Sequence, residues 1–202
     1  MRALADALGA TAVAGDITDD ATLTRCIEAA DGFSGVVANA GIMPIAPIGT
    51  ATIDDWQDTV QVNLTGVLRT VHAVLPLLVD GGDIVVMSSV AAQCAFPSAA
   101  VYSATKAAVS MFAQGLRAET AAAMKHGGPA IRVTTVLPGA VDTSLPASIR
   151  DKATRAGTEA YYRDLPSVLR PEDVAEAVAF ALEQPTRVSI NEIVIRPTGM
   201  VR

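Results

Sequence analysis

Tyr102 and Lys106 stand four residues apart in the segment Tyr102-Ser103-Ala104-Thr105-Lys106. On a helix, positions i and i+4 share a face, so the spacing sets an ammonium beside a phenol. An ammonium there stabilises the phenolate by charge and lowers a pKa that is otherwise about 10. Taken alone, the pair also describes two surface residues. Ser89 lies 13 residues before the tyrosine, directly after an apolar run. From that place its hydroxyl could hydrogen-bond a substrate oxygen opposite the tyrosine. Asn63 interrupts an apolar helical stripe in Val62-Asn63-Leu64. A buried amide needs partners, and a structural helix-to-strand hydrogen bond meets that need as well as a place in a site does.

These residues need elements to carry them. Residues 1–8 read as a helix with Leu4 and Leu8 on one face, stopped by Gly9. Residues 10–17 are a short β-rich run. Residues 19–30 read as a helix with Asp19 or Asp20 as N-cap and Leu23, Ile27 and Ala30 on one face. Residues 35–39 form an apolar strand ending in the turn signal Asn39-Ala40-Gly41. Residues 52–78 carry a long helical period through Trp56, Val60, Asn63, Val67, Val71 and Val74. Strands follow at 83–87, 131–137 and 192–196, and helices at 104–124 and 171–184. The last helix has Pro171 at its first position and acids in its first turn. Helices alternating with continuous apolar strands predict an α/β fold, a three-layer, Rossmann-like, doubly wound parallel sheet buried on both faces. Residues 141–169 read as one long irregular stretch after a strand's C-terminal end. Open α/β sheets place ligands there, so the stretch is a lid candidate, and Tyr161-Tyr162 within it could touch substrate or cover the core.

Composition narrows the function. The chain has 202 residues, expected as a single domain spanning 1–202, with 50% apolar and 18% charged residues. Its mean hydropathy of +0.37 excludes a disordered chain. A net charge of −6 argues against binding a phosphate backbone, so no nucleic-acid partner is expected. No apolar run reaches the roughly 18 residues of a membrane span. Asp6 interrupts any signal-peptide core. Cys26 and Cys94 form no C-x-x-C, and with only His72 and His126 present no metal site is expected. Two cysteines read as small buried hydrophobes fit a reducing, cytoplasmic compartment. Trp56 reads as core or interface, and His126 as solvated.

The motifs gain meaning from their order. Asn39-Ala40-Gly41, Val62-Asn63, Ser88-Ser89, Tyr102-Ser103-Ala104-Thr105-Lys106 and Pro138-Gly139-Ala140-Val141-Asp142-Thr143 occur in sequence. In this order and at these intervals they resemble the short-chain dehydrogenase/reductase family over essentially the whole chain. The resemblance implies a catalytic tetrad of Asn63, Ser89, Tyr102 and Lys106. Tyr102 would pass a proton to or from the substrate oxygen and Ser89 would orient that oxygen. Lys106 would bond the nicotinamide ribose and tune Tyr102, and Asn63 would hold a relay water. Asp16 matches the family's adenine-contacting aspartate, with Ile17 beside it in the cofactor set. Asn39, Ala40 and Gly41 match the segment lying along the cofactor. Pro138, Gly139, Val141 and Thr143 match the part embracing the carboxamide and pyrophosphate. The implied cofactor is NADP or NAD, with NADP favoured, and the implied substrate is a small hydroxy or keto compound. The ending from Ile190 to Thr198 looks like the NADP-dependent 3-hydroxy acid and serine dehydrogenase branch. A homodimer or homotetramer is implied, paired through the helices at 52–78 and 104–124.

The chain also departs from the family. Its opening strand and Thr-Gly-x-x-x-Gly-x-Gly loop, which lets backbone approach a pyrophosphate at a helix N-terminus, have no counterpart among the 15 glycines. The expected domain is therefore incomplete at its N-terminus, lacking the first βαβ unit. In the family's sheet order 3-2-1-4-5-6-7, the missing strands lie between residues 11–17 and residues 35–39. The first segment is then expected to be orphaned and the second to be an exposed apolar edge. Two other functions stay open: a non-catalytic binding or partner subunit, which the absent loop favours, and a dehydratase or isomerase using Tyr102 without hydride transfer.

Overall fold

A computed structural model describes residues 2–200; Met1, the expected first residue of the opening helix, lies outside them. Helix α1 (Arg2–Leu8) stops at Gly9, whose φ of 62° suits glycine. Leu4 and Leu8 stay exposed. Helix α2 (Asp20–Glu28) is capped by Asp19, whose carboxylate accepts from the Ala21 N–H. Strand β1 (Phe33–Ala38) leads through a loop to Thr52, which caps α3 (Ile53–Val60) by accepting from the Asp55 N–H. The long helical period then runs through one π turn (Gln61–Thr65) into α4 (Gly66–Val74). Pro76 sits in the 3₁₀ turn that ends it. Strand β2 (Leu78–Met87), helix α5 (Ala100–Lys125), strand β3 (Arg132–Pro138), helices α6 (Lys152–Asp164) and α7 (Pro171–Leu182), and strand β4 (Glu192–Ile195) complete the chain.

The four strands form one parallel sheet in the order β1-β2-β3-β4. Val36, Ile84 and Val133 lie in register across it. Their face packs against Val67 and Val71 of α4 and Val109, Ala113 and Leu116 of α5. The opposite face sets Val85, Met87 and Val136 under Val174, Val178 and Leu182 of α7. Helices thus cover both faces of the sheet, as the continuous apolar strands predict.

A buried ion pair crosses from β2 to β3. Arg132 donates to both carboxylate oxygens of Asp83 at 2.8 and 2.7 Å. The same guanidinium reaches the Leu182 and Gln184 carbonyls at 3.0 and 2.6 Å. Every donor is aimed at an acceptor, so one arginine fixes strand register and the end of α7 together.

Several expectations are corrected. Residues 10–17 form no strand; they are mostly exposed coil without a ladder partner. A β run needs a neighbouring strand for its backbone groups, and the described sheet begins at β1. Beside β1, Val37 lies on the α7 side and is 45% exposed, the exposed apolar edge foreseen. Helix α5 starts four residues before the expected position 104, so Tyr102 lies in its first turn. Strand β2 begins at Leu78, inside what reads as helix and turn. The stretch 141–169 is not irregular, since it holds a 3₁₀ turn (Leu145–Ser148) and all of α6. Asp151 caps α6 by accepting from the Thr154 N–H at 2.8 Å.

Candidate active site

Parallel strands end together, so the loops after β1, β2 and β3 converge on one rim. There they wall a cleft of about 670 Å³. Asn39, Ala40 and Gly41 come from the β1 end, Ser89 from the β2 end, and Pro138, Gly139, Val141 and Thr143 from the β3 end. Tyr102 and Lys106 reach it from the first turns of α5. A second chamber of about 400 Å³ adjoins the cleft and shares Ser89, Tyr102, Gly139, Leu145 and Tyr162 with it.

Tyr102 is buried, and burial pushes its phenol up to about 12, with the Ser89 hydroxyl pulling the other way and Tyr162 adding to the rise. Lys106 is also buried, and loss of hydration pulls its ammonium down to about 8. Burial is the largest cause of the shift at both groups. The ammonium lies 5.9 Å from the centre of the phenol ring and donates to the Met87 carbonyl at 2.9 Å. Ser88 holds the lysine's backbone, donating to the Lys106 carbonyl at 2.8 Å while accepting from the Ser110 hydroxyl at 2.7 Å. Ser89 accepts from the Ala91 N–H at 3.1 Å and so opens a 3₁₀ turn. That bond uses an oxygen lone pair and leaves the Ser89 proton free to donate.

Asn63 sits in the π turn with its side chain fully buried. Its Oδ1 accepts from the Ile42 N–H at 2.8 Å, and its Nδ2 donates to the Ile42 carbonyl at 2.9 Å and to Thr105 Oγ1 at 3.4 Å. Both amide groups are thus engaged in fixing the 39–42 loop and α5. The structural reading of Asn63 is the one its contacts express. A Cβ on Gly41 would lie 3.4 Å from Asn63 Oδ1 and 3.6 Å from Lys106 Nζ, so this glycine lets the loop pass close over both.

Asp16 and Ile17 are not brought to the cleft. Asp16 closes its own turn, accepting from the Thr18 N–H at 2.8 Å and the Thr18 hydroxyl at 2.7 Å, bonds that hold its carboxyl below the usual range. Ile17 packs over Gly66 at the start of α4. Arg69 ties the turn to α4 by donating to the Thr18 carbonyl.

Thr154, Gly157 and Thr158 of α6 escaped the sequence reading. With Tyr161, expected to touch substrate or cover the core, they wall the chamber at i, i+3, i+4 and i+7, and Tyr162 stands beside them. The Asp151 cap and that spacing are the signals that would have revealed the helix. Ser148 accepts from the Met43 N–H at 2.8 Å and docks the loop after β1 onto the turn before α6.

A nicotinamide dinucleotide fits this cleft in part. The residues suited to its nicotinamide and ribose half are present: the Lys106 ammonium, Asn39, Val141 and Thr143 converge on one space. Among the described lining residues no glycine loop leads into a helix N-terminus that would cradle a pyrophosphate.

Comparison with known proteins accords with this geometry. The family model described as enoyl-(acyl carrier protein) reductase matches residues 1–199. An uncharacterised oxidoreductase of Listeria monocytogenes is 38% identical over 166 residues, covering 81% of this chain and 64% of its own length. The chain therefore spans a little under two thirds of that relative. Among solved structures, the closed form of serine dehydrogenase complexed with NADP+ is similar with a TM-score of 0.81 and 29% identity, over 93% of this chain and 75% of that one. A short-chain dehydrogenase/reductase of the glucose/ribitol dehydrogenase type from Brucella melitensis has a TM-score of 0.78 and 25% identity, over 96% and 80%.

Proposed function

The chain belongs to the short-chain dehydrogenase/reductase family, and we propose that it carries the acid/base half of an NAD(P)-dependent oxidoreductase acting on a small hydroxy or keto compound. The observation that carries this reading is the convergence of Ser89, Tyr102 and Lys106 on one rim of the cleft. A bound nicotinamide would supply or take up the hydride. The chain's own residues do the rest.

Burial keeps Tyr102 protonated across the neutral range, the state from which it donates to a carbonyl oxygen. Ser89, its oxygen fixed by the Ala91 N–H, offers a second hydrogen to the same oxygen. Lys106 sits in a dry site where its charge acts strongly on an oxygen that gains negative charge. Asn63 acts through the 39–42 loop that it fastens. Asn39, Ala40, Gly41, Pro138, Gly139, Val141 and Thr143 line the space for the cofactor, while Asp16 and Ile17 stand outside it. The NADP complex of the serine dehydrogenase supports NADP over NAD.

The second copy is proposed to dock on the exposed flank of α3, α4 and α5. Trp56, Val60, Leu68 and Met111 are exposed apolar side chains there. On α5, Ala107 and Ala118 are exposed, whereas Ala113 is buried in the chain's own core.

Isotope transfer tests the redox reading. In a chimera with a relative's glycine-loop unit ahead of Arg2, label from [4,4-²H₂]NADPH is expected at the carbinol carbon of a reduced ketone. A product formed without label would instead mark a dehydratase or isomerase.

A further inference from the structure

The chamber beside Tyr102 is built from apolar side chains and hydroxyls. Met43, Ile45, Phe96, Leu145 and Met200 are the large apolar side chains of its wall, and α6 closes one side. Among the described lining residues the only titratable groups are tyrosines. On the surrounding segments Lys152 and Arg163 are exposed and do not line the chamber, and three further cations are engaged elsewhere. Arg150 holds Asp55 and Asp58 at 2.6 Å each, Arg155 holds Glu159 at 3.0 Å, and Arg170 holds Asp173 at 3.2 Å. Lys106 lines the neighbouring cleft and donates to Met87.

Removing a carboxylate from water is costly unless a charge partner and hydrogen bonds replace its hydration. Among the described lining residues this chamber offers hydroxyls without a cation. An apolar body, by contrast, gains from every wall it touches.

One position on the α6 wall of the chamber carries no side chain. Gly157 lies in the middle of α6, where glycine costs about 1 kcal/mol relative to alanine. It lines the chamber, and a Cβ built on it meets nothing within 4 Å. Neither backbone strain nor tight packing asks for glycine at this position. Without a side chain, this exposed position leaves its part of the chamber open.

We infer that this chamber receives the body of an uncharged ketone or secondary alcohol with an apolar substituent, and that it discriminates against hydroxy, keto and amino acids, with Gly157 setting the size it admits. The inference rests on the Proposed function only for the placement of the reacting oxygen at Tyr102. It parts this chain from the serine acted on by the similar dehydrogenase.

A matched ligand pair tests it on the 202-residue chain. 4-Phenylbutan-2-one and 2-oxo-4-phenylbutanoate differ only by a methyl in place of a carboxylate, and each is titrated by calorimetry and by saturation-transfer NMR. The neutral ketone is expected to bind at least tenfold more tightly. Gly157→Leu is expected to weaken it at least tenfold, and Thr158→Lys to shift the preference toward the carboxylate. Circular dichroism checks that each variant keeps its helices, and Thr158→Lys carries the test where Gly157→Leu does not fold. Equal or tighter binding of the carboxylate overturns the inference, as does failure of the ketone to bind. Failure of the Tyr102 reading appears separately, as wild-type turnover in a Tyr102→Phe chimera, and leaves the ligand preference as it was.

Discussion

Burial governs the protons of Tyr102 and Lys106. Lys106 has a folded pKa of about 8 against 10.5 unperturbed. Between these values the folded chain binds fewer protons than the unfolded chain, so this group makes stability rise with pH across that window. The rise amounts to about 3 kcal/mol at most. Urea denaturation is expected to show wild type gaining stability from pH 8 to 10 relative to Lys106→Met. Parallel pH profiles for the two proteins would contradict this. The spacing of Tyr102 and Lys106 made the pair legible in the sequence. The direction of the tyrosine shift was not, because it depends on how dry the site is, and dryness comes from Met43, Ala99 and Ile149, which cluster around Tyr102 from distant segments. Asn63 was legible only as two alternatives. Its bonds to Ile42, 21 residues away, favour the structural one.

Elements position these residues through a few polar contacts between strands and helices. The Arg132–Asp83 pair is buried, so removing one partner strands a charge. Asp83→Ala is expected to destabilise the fold by about 3–5 kcal/mol, read as a lowered urea midpoint. A loss below about 1 kcal/mol, the range of exposed pairs, would show that the pair is not buried as described. The buried part of β2 and all of β3 were legible because parallel strands covered on both faces are continuous apolar runs. Helix α6 was not. It has no buried residue and its mean character is polar, so apolar periodicity gives little sign of it. Residues 10–17 failed in the opposite sense: β-rich composition without a partner strand leaves coil.

At the scale of the whole molecule, the described residues wall a cleft suited to the nicotinamide half of a dinucleotide. The pyrophosphate side needs several backbone and charge-assisted hydrogen bonds, each worth roughly 1.5–3 kcal/mol. The 202-residue chain is therefore expected to bind NADP+ and NAD+ about three to six orders of magnitude more weakly than a micromolar binder. Calorimetry showing micromolar binding would mean that another segment or a partner chain supplies the cradle. The exposed flank of α3, α4 and α5 makes a second claim. Met111→Glu is expected to convert a dimer or tetramer to monomers by light scattering at micromolar concentration, and a wild-type monomer would refute the pairing. The most direct test of the account addresses Tyr102. In the glycine-loop chimera, NADPH-dependent ketone reduction is measured for wild type and Tyr102→Phe, with the thermal unfolding of both as a check on folding. The account predicts a loss of about 10²–10⁴-fold in kcat with an unchanged fold. A loss of less than threefold would remove Tyr102 from the chemistry and contradict the account.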